Sequence, residues 1–164
     1  MKKGISTIFI LMNLFIISSL AQFAPAKITA PLIAKVLPFE KNISTNGDIK
    51  IHVFADADVQ SELEKTIGMS VGKVKISEIT TGGNINGAKV VVVDDPSQVE
   101  KVKKYCRENN ALSITRDVNL LKDGITLCIA ISSGKPKLII NLSASNEEGL
   151  TWNPALFKIA EKLD

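Results

Sequence analysis

The sequence predicts an α/β fold. It reads as a single three-layer domain: a mostly parallel sheet with helices on both faces, a C-terminal antiparallel hairpin and a closing helix. Three observations carry this reading. Ala88–Val93 is a nearly continuous β-branched run, the pattern of a strand buried on both faces of a helix-covered parallel sheet. Helical and extended patterns alternate along the chain, which favours parallel strands joined by crossovers. Ser133-Gly134 separates two apolar runs and reads as a hairpin turn. A chain of 164 residues, 45% of them apolar and 23% charged, fits one globular core and excludes a disordered tail protein.

The chain opens with a targeting pattern. Lys2 and Lys3 precede an apolar stretch from Ile5 to Leu20, and Ser19-Leu20-Ala21 places small residues where a signal peptidase reads. The stretch is shorter than the roughly 20 apolar residues of a spanning helix and is interrupted by hydroxyl residues and Asn13. Residues 1–21 are therefore expected to be a cleaved signal peptide, with cleavage near Ala21–Gln22, and 22–164 the mature domain. Losing Lys2 and Lys3 takes the formal charge from +3 to +1. So small a charge gives no electrostatic footprint for nucleic acid.

The elements follow in order. Ile28, Leu32, Ile33, Val36 and Leu37 recur at helical spacing, with Pro31 expected in the first turn and Pro38 ending the pattern. Ile49–Ala55 is a strand with Ile51 and Val53 on one face. A helix follows over about Val59–Ile67, with Asp58 as its N-cap. Val71–Ile79 alternates imperfectly as a strand, and Thr80–Gly87, rich in Gly, Asn and Thr, is a loop. After Ala88–Val93, Asp95 at the N-cap, Pro96 at N1 and Gln98 at N3 start a helix that runs to about Asn109. Ala111–Thr115, Ile125–Ser132 and Lys137–Leu142 are strands. Leu156, Ile159, Ala160 and Leu163 suggest the closing helix, started by Asn153 and Pro154.

Few residues point to chemistry. One His and two Cys leave almost nothing for a zinc site, and 5% aromatic residues argue against stacking platforms for bases or sugars. Asp56, Asp58, Asp94 and Asp95 fall at the carboxyl ends of strands, where α/β sheets bind ligands. With Thr115 they could hold Mg²⁺ as a phospho-receiver does. The favoured alternative is capping by Asp58 and Asp95, with Asp56 and Asp94 in solvent. His52 lies inside a strand, where an imidazole is most often packed. Gly82, Gly83 and Gly87 match neither a dinucleotide fingerprint nor a P-loop. Asn42-Ile43-Ser44 and Asn141-Leu142-Ser143 match the three-residue glycosylation pattern, a weak signal. In an oxidising compartment Cys106 and Cys128 could form a disulfide; the alternative is two separate buried thiols. No catalytic residue, cofactor or metal ligand is assigned.

From Gly87 onward the sequence reads GAKVVVVDD, then ALSITRDVNLLKDGITLCIAI, then GKPKLIINLSASNEEGLTWNPALFKIAEKL. Leu112, Ile114, Thr115, Gly124, Ile125, Asn141-Leu142, Gly149-Leu150, Leu156 and Ile159-Ala160 fall where the YfiR family of secreted bacterial regulators, which includes HmsC-type proteins, has its pattern. APLIAKVLPFEKNI is similar to the helix that opens that domain, although Leu37-Pro38-Phe39 stands where Trp-Pro is common. This resemblance implies a periplasmic, non-enzymatic protein that restrains an inner-membrane signalling protein, a diguanylate cyclase or sensor kinase, by direct contact. It leaves a homodimer open.

Two other functions compete with that expectation. One is a single-lobed solute-binding protein using the Thr80–Gly87 loop and the strand ends as its cleft. The other is an enzyme using the aspartates. Trp152, ahead of the closing helix, is the residue singled out for partner contact, since large aromatics anchor interfaces; the alternative is that it closes the core.

Overall fold

The structure is a computed structural model that describes residues 23–45 and 47–164. The expected signal peptide lies outside these residues. Six helices are described: α1 (Ala26–Val36), α2 (Lys41–Thr45), α3 (Ala57–Glu64), α4 (Val99–Asn109), α5 (Val118–Lys122) and α6 (Leu142–Glu147). Eight strands form one sheet: β1 (Asp48–Phe54), β2 (Ser70–Val71), β3 (Val74–Thr81), β4 (Val90–Val93), β5 (Leu112–Thr115), β6 (Leu127–Ser132), β7 (Lys135–Asn141) and β8 (Ala160–Leu163).

Their order is β2-β3-β1-β4-β5-β6-β7-β8. From β3 to β6 every neighbouring pair is parallel. β6 and β7 form the expected antiparallel hairpin, and the positive φ of Ser133 and Gly134 makes its turn. The short β2 pairs antiparallel with β3 at the opposite edge.

Side-chain alternation on the central strands builds the three layers. Val90, Val92, Leu112, Ile114, Leu127 and Ile129 face α1 and α3, where Ile33, Ala34, Val59 and Leu63 meet them. Val91 and Val93 face the other way, onto Val99, Val102 and Cys106 of α4. Cys128 and Ala130 pack on Leu121 of α5. All four residues of β4 are fully buried, so the unbroken valine run reflects cover on both faces. Burying each valine stabilises the fold by about 1.5–3 kcal/mol.

Several local expectations are corrected. The cap of α3 is Asp56, whose Oδ1 accepts from the Val59 amide at 2.9 Å, and Asp58 sits in the first turn. Both carboxylates favour the helix start, and the chain direction out of β1 gives the cap to the earlier one. Pro31 lies well inside α1 rather than in its first turn. The strand β3 runs two residues into the expected loop. Three short helices, α2, α5 and α6, have no counterpart in the expected elements.

The closing helix is one 3₁₀ turn, Pro154–Lys158, after which the chain becomes β8 and pairs parallel with β7. A short helix is marginal without strong packing, whereas β8 satisfies the backbone edge of β7. Leu156 and Ala160 are buried, but Ile159 is 61% exposed, which a core-facing helical stripe would not allow. Both cysteines are free buried thiols. Cys106, on the buried face of α4, and Cys128, beneath α5, lie in separate clusters, so the disulfide weighed above is not formed.

Candidate functional site

Leaving β1 the chain crosses through α3 to β3 on one side; leaving β4 it crosses through α4 to β5 on the other. The connections diverge between β1 and β4, and ligand crevices in such sheets open at the carboxyl ends of the strands at that point. A crevice of about 620 Å³ lies there. Phe23 and Phe54 line it, with Asp56, Asp94, Asp95 and Arg116 among its polar groups.

Three of the five residues weighed as a metal set come together here. Asp94 is no solvated carboxylate, for its side chain is only 6% exposed. Its Oδ1 accepts from the Arg116 backbone amide at 2.8 Å and from the Thr115 hydroxyl at 3.2 Å. Its Oδ2 accepts from Arg116 Nε at 2.7 Å. Asp56 Oδ2 accepts from the other arm of the same guanidinium at 2.6 Å. Asp95 and Asp58 stand apart from this cluster: Asp95 caps the turn Pro96–Gln98 by accepting from the Ser97 amide.

Arg116 is the residue sequence reasoning missed. Its side chain is 5% exposed, and its third arm donates to the Ala24 carbonyl at 3.2 Å while the guanidinium lies 5.3 Å from the Phe23 ring. The only local sign was its position, directly after Thr115 at a strand end. The guanidinium supplies the positive charge that a divalent ion would supply at a phospho-receiver site. Burial opposes its charge, but Asp94 and Asp56 outweigh that and raise its pKa. Partial burial likewise pushes the Asp56 carboxyl upward, and the Val59 amide and Arg116 together hold it below the usual carboxylate range. Among the described residues no group of three or more His, Cys, Asp or Glu side chains is placed to hold a metal ion.

His52 is packed within β1, as its strand position suggests. A carbonyl only accepts, so Nε2 carries the proton and donates to Gly82 O at 3.2 Å, while Nδ1 accepts from the Thr80 hydroxyl at 2.9 Å. Burial lowers its pKa against the opposing pull of the Gly82 carbonyl, and Lys101 lowers it further. Lys101 also donates to Gly83 O and lies 5.4 Å from the Phe54 ring. The glycine loop is thus pinned from both sides as one wall of the crevice.

Trp152 does not stand at the rim. It is 8% exposed, and its indole N–H donates to Ser145 Oγ at 2.7 Å inside the fold. The buried Glu40 secures the same stretch: its Oε2 accepts from the Ile43 amide and its Oε1 from the Thr151 amide, joining α2 to the closing segment. Asn42 is exposed on α2, whereas Asn141 is buried as the cap of α6, its Oδ1 accepting from the Ala144 amide.

A doubly wound sheet whose strand-end carboxylates Asp56 and Asp94 are bridged by one internal arginine defines an α/β domain with a crevice at its topological switch point. More specifically, the chain belongs to the YfiR/HmsC-like family, whose model matches residues 27–161. The family is one of periplasmic signalling regulators. A solved structure of a conserved domain protein from Vibrio cholerae O1 biovar El Tor strain N16961 superposes with a TM-score of 0.56 at 13% identity. The match covers 86% of this chain and 60% of that one, and at this identity it speaks for the fold alone. No curated protein matches the chain.

Proposed function

We propose that this protein is exported and restrains an inner-membrane signalling protein, a diguanylate cyclase or a sensor kinase, by direct protein contact. The match to the YfiR/HmsC-like family over residues 27–161 carries this reading. The site chemistry supports it: Arg116 and the aspartates hold one another, and His52 hydrogen-bonds to Thr80 and Gly82. Neither arrangement pairs a base with a nucleophile. In the described residues no helix is long and apolar enough to cross a membrane.

The test is retention of the mature protein's target from detergent-solubilised inner membranes. The expected result is capture of a membrane protein with an exported sensory segment and a cytoplasmic signalling domain, abolished by competing untagged protein. Capture of transporter subunits instead would favour the second reading, a solute-binding protein, for which the crevice of about 620 Å³ is the supporting observation. N-terminal sequencing of the exported chain should begin near Gln22; a chain that retains Met1 in the membrane pellet at high salt would contradict the export step.

A further inference from the structure

The buried polar group that neither the crevice nor the family reading uses is Glu148, at the end of α6. It is 1% exposed. Its Oε1 accepts from the Ser113 hydroxyl and its Oε2 from the Ser113 amide at 3.1 Å. The Ser113 hydroxyl in turn accepts from the Thr126 amide at 2.9 Å, so its single proton is directed at Glu148. Among the described residues no cation forms a salt bridge with the carboxyl, and Arg107 acts on it only at a distance. α4 presents Cys106 and Arg107 to it, but the Arg107 guanidinium is paired with Glu147. β5 and the approach to β6 present only Ser113 and Thr126.

A second observation concerns the proton itself. The Thr126 hydroxyl adjoins the same carboxyl and is the one buried side-chain oxygen or nitrogen among the described residues without a hydrogen-bond partner. The Ser113 amide can only donate to Glu148, whereas the Ser113 hydroxyl, with one lone pair taken by the Thr126 amide, keeps a second that can accept from a carboxylic acid. Thr126 Oγ1, otherwise unpartnered, can accept as well. With Glu148 neutral, the acid O–H has Thr126 as acceptor; with Glu148 ionised, the Thr126 hydroxyl can turn and donate. Each protonation state therefore has its own hydrogen-bond arrangement in a pocket closed to solvent.

We propose that Glu148 is a buried proton switch that sets how the segment from Gly149 to Asn153 docks on the fold. That segment is the natural reporter. The Glu148 carbonyl accepts from Asn110 Nδ2 at 3.2 Å, and Gly149 continues with φ +68° against the same Asn110 side chain. Three residues further on, Trp152 reaches back to Ser145 on α6, whose C-cap is Glu148. An uncompensated buried carboxylate draws in water or moves toward it, and α6 and the Gly149 hinge are what must yield. Burial, the largest influence, pushes Glu148 up to about 7 against the hydrogen bonds from Ser113 and the attraction of Arg107. The clasp is thus closed on the acidic side of neutrality and loosened on the alkaline side, independently of which partner the protein restrains.

Trp152 is the chain's one tryptophan, so its fluorescence reads the docking directly in the full mature protein. Between about pH 5 and 9 the emission should shift reversibly, with a midpoint near 7. Glu148→Gln should hold the acid-side spectrum throughout, and His52→Gln should leave the transition in place. A ¹³C-carboxyl titration of the unmodified protein reads Glu148 without any substitution. A Glu148 midpoint below about 5, near the ordinary glutamate value, would overturn the proposal. So would a pH-independent Trp152 spectrum or a transition that survives in a folded Glu148→Gln variant.

Discussion

At the scale of single residues, Asp94 and Arg116 carry the largest stakes. Asp94 falls next to Asp95 in sequence, yet the two do opposite things: one is buried against a guanidinium, the other caps a turn at the surface. The sequence-based expectation that Asp94 is solvated is therefore reversed in its consequence. Asp94→Ala leaves Arg116 buried with half its partners gone, a change that typically costs about 3–5 kcal/mol. Asp95→Ala removes only a cap, about 0.5–2 kcal/mol. Urea unfolding of the two variants should show this order. Equal small losses would mean that the Asp94–Arg116 pair contributes little.

Glu148 makes a stability prediction of opposite sign to the usual carboxylate. Its folded-state pKa lies above the unfolded value, so the folded chain holds a proton that the unfolded chain releases. Its contribution is fully present below about pH 4.3, the unfolded glutamate value, and is lost as pH rises toward about 7. The urea midpoint of the parent protein should fall across that window relative to Glu148→Gln. A parallel pH dependence in both proteins would contradict the assignment.

At the scale of elements, what was legible followed from burial and from chain punctuation. The valines of β4 announced a strand covered on both faces, and Asp95-Pro96 announced the turn into α4. The Ser133-Gly134 hairpin was equally plain. The elements missed are those whose local signal is weak. Five residues suffice for α5, too few for a periodic stripe, and α6 spells Leu-Ser-Ala-Ser-Asn-Glu, poor in strong helix formers and held instead by the Asn141 cap.

The C-terminal error has a different cause. Leu156, Ile159, Ala160 and Leu163 fit a helical period, but the open edge of β7 offers backbone pairing that the spacing cannot reveal. The two accounts differ at Ile159. In the observed strand arrangement Ile159→Lys should change stability by no more than about 0.5 kcal/mol, as exposed substitutions do. Leu156→Ala, at a fully buried position, should cost about 2–5 kcal/mol. Comparable losses at both positions would restore the helix.

The candidate site was half legible. The strand-end rule drew attention to Asp56, Asp94 and Thr115, and the structure does bring them together. What the sequence could not show was their partner. Arg116 joins Asp56 and Asp94 from another strand, sixty and twenty-two residues away along the chain respectively. Its guanidinium takes the place between the two carboxylates that a cation would otherwise occupy. For Trp152 the sequence leaves both partner contact and core closure open, and the inward turn follows from Ser145 on α6, which accepts from its indole N–H.

At the scale of the whole molecule, membership of the YfiR/HmsC-like family supports the proposed regulation by contact, and the doubly wound sheet supplies the scaffold. We propose that the protein restrains an inner-membrane signalling protein from the exported side. The most direct measurement is the cellular cyclic-di-GMP level in the native host lacking this protein, complemented either with the full chain or with a chain missing residues 2–21. Loss of the protein should raise the level, the full chain should restore it, and the unexported chain should fail to do so. Unchanged cyclic-di-GMP on deletion would contradict restraint of a cyclase and leave a sensor kinase as the target. Full rescue by the unexported chain would contradict action from outside the inner membrane altogether.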